Sequence, residues 1–214
     1  MLRTATVKKS AGSDWRDGFL FVGNHVILDF LNTCPVQNGE RLELLPDFNE
    51  VLRWFLSARL VSSRQLEKLQ QRWGASARAR EFTATLGELR EKIRDEILAW
   101  EQTGKLHHGM VDELNRIMTN HPMLTRLKQE ATGSILELWF EARRPEDLFA
   151  PLAHSAAELF SGADPSRVRK CGYCVLHFYD TSKKGTRRWC SMQLCGNRLK
   201  VAAYAARHRT RTHT

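Results

Sequence analysis

Nowhere in the 214 residues does an apolar run approach the roughly 20 residues that cross a bilayer, so no membrane partner is expected. The residues from Met1 to Asp14 carry bases with no apolar stretch behind them, which argues against a secretory leader. Glycine and proline are sparse, at 13 and 6, which excludes a collagen-like chain. Hydrophobic residues at 42% and charged residues at 27% exclude a wholly disordered one. Cysteine is also scarce: five residues, of which Cys34 stands alone. With no leader the expected location is the reducing cytoplasm, where a disulfide framework does not persist.

Acidic residues are almost missing from one end. Residues 163–214 hold twelve Lys/Arg but only Asp164 and Asp180, a balance of +10 within a chain of net charge +9. Residues 1–162 are therefore close to neutral. A neutral body with a basic tail points to a polyanionic partner, and DNA is the expected one.

The pattern along the body is mainly helical. Residues 1–18 are polar and aperiodic and read as a flexible arm. Phe19-Leu20-Phe21-Val22 ends at the turn Gly23-Asn24, and Val26, Ile27, Phe30, Leu31 and Cys34 then follow helical spacing as far as Pro35. Leu42–Leu45 reads as a short strand. Asp47 caps a helix to about Arg59, and Ser62 or Ser63 caps another carrying Leu66, Leu69 and Trp73. Phe82, Leu86, Leu89, Ile93, Ile97 and Trp100 mark a long helix from about Ala75 to Gln102, with Gly104 as its stop. A helix over about His108–Thr119, a β-hairpin over 123–142 and a helix from Pro145 to Phe160 complete a body at 19–162. Trp54, Trp73, Trp100 and Trp139 are expected in the core, as is the small Cys34.

The other four cysteines are spaced Cys171-x2-Cys174, fifteen residues, Cys190-x4-Cys195. Two thiolates two residues apart fit a knuckle, and a second pair from another element completes a tetrahedron. Four sulfurs leave no open position for water, so the ion, Zn2+, is structural and no catalytic residue is assigned. Between the pairs, Val175–Tyr179 reads as a strand, 181–185 as a turn and Thr186–Trp189 as the return strand. Residues from Arg198 to Ala206 favour a helix. A module of this size with few large apolar groups depends on its metal, so chelation is expected to unfold residues 168–214. Lys183, Lys184, Arg187 and Arg188 on the hairpin, with Arg198, Lys200, Tyr204, Arg207 and Arg211 on or beside the helix, form the expected DNA-binding set. Two rival readings remain at this point: a protein-interaction module with zinc as a staple, and a metal-dependent nuclease with His177 as base.

Arg187-Arg188-Trp189-Cys190-Ser191-Met192 followed by Cys195-Gly196-Asn197-Arg198 resembles the CGNR zinc finger. Phe21-Val22-Gly23-Asn24-His25-Val26-Ile27-Leu28-Asp29-Phe30-Leu31-Asn32-Thr33 resembles the opening of the ABATE domain, with Asn24 where a second glycine is expected. The resemblance implies an α+β protein of bacterial, stress-linked transcription regulator type. It has a mostly helical ABATE-like sensor or assembly domain with a small β-hairpin, and a treble-clef or zinc-ribbon-like module at 163–214. It places the zinc ligands on Cys171, Cys174, Cys190 and Cys195. His25, Asp29, Asn32 and Thr33 are the candidate effector-binding residues, although an Asp29–His25 pair and backbone bonds from Asn32 or Thr33 would serve structure alone. A small finger reads little sequence by itself, so a homodimer is also expected.

Overall fold

The structure, a computed structural model, describes residues 14–37, 40–131, 133–174 and 176–196. Among the described residues, six α-helices carry the body: α1 (Val26–Leu31), α2 (Phe48–Ser57), α3 (Ser63–Trp73), α4 (Ala77–Thr103), α5 (His108–Asn120) and α6 (Phe149–Gly162). Their ends follow from local chemistry. The Asp47 carboxylate accepts from the Glu50 N–H, Ser62 and Gln65 form a reciprocal capping box, and Ser76 accepts from the Ala79 N–H. Gly104 closes α4 in the left-handed region at φ 66°, where glycine carries no steric penalty.

Six residues are too few for a helix to persist in water. α1 forms because Ile27, Leu28, Phe30 and Leu31 are all fully buried, packed against α4 and α6. Each such side chain is stabilised by about 1.5–3 kcal/mol relative to exposure. Trp54 fills the space beside them, tilted against Phe30 and edge-on to Phe55. The body core therefore surrounds α1, the segment in which the ABATE-like motif falls.

The strands pair in four separate antiparallel ribbons: β1 (Trp15–Arg16) with β2 (Phe19–Leu20), β3 (Val36–Gln37) with β4 (Glu40–Arg41), β5 (Leu124–Glu130) with β6 (Gly133–Trp139), and β7 (Val168–Lys170) with β8 (His177–Tyr179). The β5–β6 hairpin falls within residues 123–142, where a hairpin is expected. Several expectations differ. Residues 14–18, expected within the flexible arm, are ordered, and the Arg16 guanidinium donates to the Ser57 carbonyl at 2.9 Å. Leu42–Leu45 is not a strand: its Leu42 and Leu44 N–H groups donate to the carbonyls of Pro35 and Thr33 beyond the short β3–β4 ribbon, and the Glu43 side chain meets Arg90 of α4. Trp139 lies half-exposed under the Arg126 guanidinium rather than in the core, since both faces of its ribbon stand clear of the body. In the tail, β8 pairs with β7, which precedes the cysteines, and 186–189 adds no strand. The helix expected after Cys195 lies outside the described residues.

Candidate zinc centre and its seat on the body

The connection from β7 to β8 is the knuckle. Its turn is closed by the Cys171 N–H donating to the Leu176 carbonyl at 2.7 Å. The second pair arrives on a loop and a single π-type turn, Met192–Gly196, in which the Cys195 N–H bonds the Ser191 carbonyl. The four sulfurs of Cys171, Cys174, Cys190 and Cys195 all lie within 4.8 Å of one another, with Cys174 Sγ to Cys190 Sγ at 3.3 Å and Cys190 Sγ to Cys195 Sγ at 3.6 Å. A tetrahedron with zinc–sulfur bonds of about 2.3 Å has edges near ~3.8 Å, so the quartet fits one structural zinc ion. The thiols also need a cation. Hydrogen bonds from Cys174 and Cys190 favour Cys171 as a thiolate, the same bonds push Cys190 far above the usual thiol range, and burial, with Cys174 beside it, pushes Cys195 up to about 12. Only a positive ion lets all four ionise together.

A loop outside the knuckle is fixed by one carboxylate. Buried Asp180 accepts from the Ser182 N–H at 2.8 Å and from the Arg187 N–H at 2.7 Å. The Arg167 guanidinium donates to the carbonyls of Asp180 and Ser182, and that of Arg169 to Gly185. Arg187 turns inward, donating to the Trp189 carbonyl at 2.7 Å with its guanidinium 4.4 Å from the Phe178 ring centroid. Lys183, Lys184 and Arg188 are exposed on the loop. Arg198, Lys200, Tyr204, Arg207 and Arg211 lie outside the described residues.

The finger's small apolar core is shared. Leu176, Phe178 and the ligand cysteines pack with Leu20 and Val22 from the start of the chain. The free edge of β8 is covered by the ABATE-like motif. The Asn32 side chain donates to the His177 carbonyl and accepts from the His177 N–H, both at 2.9 Å. The Tyr179 N–H donates to the Gly23 carbonyl at 2.7 Å, and the Asn24 amide donates to the Tyr179 carbonyl at 2.8 Å. Asn32 thus acts as a surrogate strand residue at 1% exposure, and β8 is sandwiched between β7 and the body. Asn24 takes its place in the motif with φ 58°, a conformation that asparagine tolerates better than most residues. Gly23 has no alternative: a Cβ there would meet the Leu28 Cβ and the Asp29 N–H nitrogen at 2.8 Å.

The other candidate effector residues are also engaged. His25 meets Ser155 rather than Asp29: the Ser155 hydroxyl accepts from the Ile27 N–H and sits 3.1 Å from His25 Nδ1. Burial lowers the His25 pKa to about 4, so the ring that bonds the hydroxyl is neutral. Thr33 donates to the Phe30 carbonyl and accepts from the buried Arg90 guanidinium. Asp29 accepts from the Gly23 N–H at 2.7 Å. Burial raises its pKa to about 7, with the Gly23 N–H and Arg16 opposing that rise. The folded chain therefore keeps a proton that the unfolded chain has lost, and Asp29 costs stability increasingly as pH climbs from about 4 to about 7. Asp29→Asn keeps the acceptor and removes the titration. Its stability gain over the wild type should be absent near pH 4 and reach about 2 kcal/mol at pH 8, after discounting for partial solvent access. Urea midpoints at the two pH values check this; a difference independent of pH refutes it.

The candidate nuclease base, His177, is 2% exposed, and among the described residues neither ring nitrogen has a hydrogen-bond partner. A general base must reach the water it activates, and this ring faces no solvent. Among the described residues no helix is long and apolar enough to cross a membrane.

The ribbon that completes the finger's core is not visible in the apolar periodicity. Asp17-Gly18, with φ 50° and 88°, is a two-residue hairpin turn, and that dipeptide was the available signal. Asp14, just before it, bonds Ser191 in the second ligand segment through its carboxylate.

These features define a four-cysteine zinc module seated on a mostly helical domain. Matches to family models agree in order and extent: ABATE, described as "Putative stress-induced transcription regulator", over residues 24–163, and the CGNR zinc finger over residues 167–208. The first covers more than half of the chain, which belongs to the ABATE family and carries a CGNR zinc finger. No curated protein matches the chain.

Proposed function

We propose that the protein is a cytoplasmic DNA-binding transcription regulator that grips the phosphate backbone with its zinc module. The observation that carries this reading is the rigid mounting of the basic loop: Asp180 fixes its backbone from inside while Lys183, Lys184 and Arg188 project outward. Cations held on a zinc-braced scaffold approach phosphates with little further ordering cost. Arg198, Lys200, Tyr204, Arg207 and Arg211 extend the same basic surface in this reading, and Arg187 braces the loop beneath it.

The N-terminal domain serves assembly or effector sensing. His25, Asp29, Asn32 and Thr33 each commit a polar atom to a bond inside the protein. That favours a role in joining the two modules over direct contact with an effector. No step of this function requires catalysis.

Binding of the zinc-loaded protein to duplex DNA, followed by fluorescence anisotropy, tests the proposal. Affinity should fall steeply with salt, and replacing both Lys183 and Lys184 by alanine should flatten the logarithmic slope by about 2. Absent or salt-insensitive binding, with a protein partner retained instead, would favour the interaction-module reading.

A further inference from the structure

The β5–β6 ribbon stands apart from both cores. All seven residues of β5 are exposed, as are five of the seven in β6. Five large aliphatic side chains surface here: Leu124, Leu127, Ile135, Leu136 and Leu138, with Leu127 at 74% and Leu136 at 54%. A two-stranded ribbon is marginal in water, and proteins usually protect an open edge with lysine, proline or a bulge. The edge of β6 has none of these. Its register is unbroken over seven residues, and among the described residues no other backbone pairs with it.

We propose that two copies of the chain pair through β6, edge to edge and antiparallel about Leu136, to make one four-stranded sheet. Charge selects this strand and this occupant. Antiparallel pairing of β5 with its own copy about Leu127 would set Arg126 opposite Lys128 of the second copy, twice, and like charges in register destabilise a sheet. The only charge on β6 is Glu137, already paired within its own ribbon to Arg126 at 2.6 Å and Lys128 at 3.5 Å. Pairing about Leu136 sets Glu137 opposite Ile135 and Ser134 opposite Leu138, so no like charges meet. The contact is its own complement, as a two-fold interface requires. Side chains alternate along a strand, and a two-fold antiparallel pair keeps each residue on the same side as its copy. Leu127, Leu136 and Leu138 from both ribbons then form one uncharged face. This inference does not depend on DNA binding.

Sedimentation of the full-length, zinc-loaded protein tests it. The wild type should be a dimer at tens of micromolar. Leu136→Lys puts two ammonium groups together at the two-fold axis and should weaken self-association at least tenfold. Its circular dichroism and zinc content should not change, since the ribbon contributes to neither core. Thr125→Lys, on the outer strand of the proposed sheet, should remain dimeric. A monomeric wild type, or a Leu136→Lys protein that stays dimeric, overturns the proposal. Loss of the dimer in both variants overturns it too, because that result means the ribbons stack face to face instead.

Discussion

Replacing Asn32 by alanine should loosen the zinc module from the body while leaving every zinc ligand in place. The substitution removes a bidentate bond and strands the His177 N–H and carbonyl, both against a fully formed interior. Each buried backbone group left unpaired costs roughly 1–3 kcal/mol, so the total is about 2–6 kcal/mol. At about 2–4 °C per kcal/mol for a protein of this size, the melting temperature should fall by roughly 4–24 °C. Limited proteolysis should then cut between α6 and β7, releasing the finger. Asn32→Asp should be no better, since a carboxylate cannot donate to the His177 carbonyl. Asn115→Ala, an exposed asparagine on α5, is the control. If the two alanine variants melt alike and resist protease alike, Asn32 does not clamp the module.

Removing zinc should have the largest effect of all, and a local one. The finger's core is Leu20, Val22, Leu176, Phe178 and three of the four ligand cysteines, with Cys174 and Trp189 packed at its margin. Without the ion, four aliphatic and aromatic side chains remain to order some thirty residues, against a zinc contribution on the order of 10–16 kcal/mol. Hydrogen exchange followed by mass spectrometry should show 168–196 losing protection on chelation, together with the β1–β2 ribbon that packs on it. The helices should keep theirs, because the body core around α1 is a separate cluster. Residues 197–214, also expected to unfold, lie outside those described. Metal-free protein, verified by elemental analysis, that retains protection over 171–179 would refute the dependence.

Local chemistry was legible where one residue decides the outcome. Asp47, Ser62 and Gly104 mark helix ends, and the apolar spacing of α4 predicts which of its residues are buried. The cysteine spacing predicts a quartet, and the structure brings those sulfurs together. What escaped were choices among competing partners. Val175–Tyr179 has the composition of a strand, but nothing local selects β7 over residues 186–189 as its neighbour. Trp139 has the composition of a core residue, but burial depends on whether the body reaches the ribbon. Leu42–Leu45 reads as a strand, yet only its Leu42 and Leu44 N–H groups find backbone partners, at Pro35 and Thr33.

The polar residues of the opening motif show the boundary most clearly. Sequence by itself determined that a zinc centre forms, which thiols hold it, and that the basic charge gathers around it, because spacing and composition are properties of neighbouring residues. Tertiary structure alone decided that Asn32 completes the edge of β8 across 145 residues of chain. The amide's bonding capacity is written in the residue type, whereas the strand edge it satisfies exists only once the finger has folded and docked.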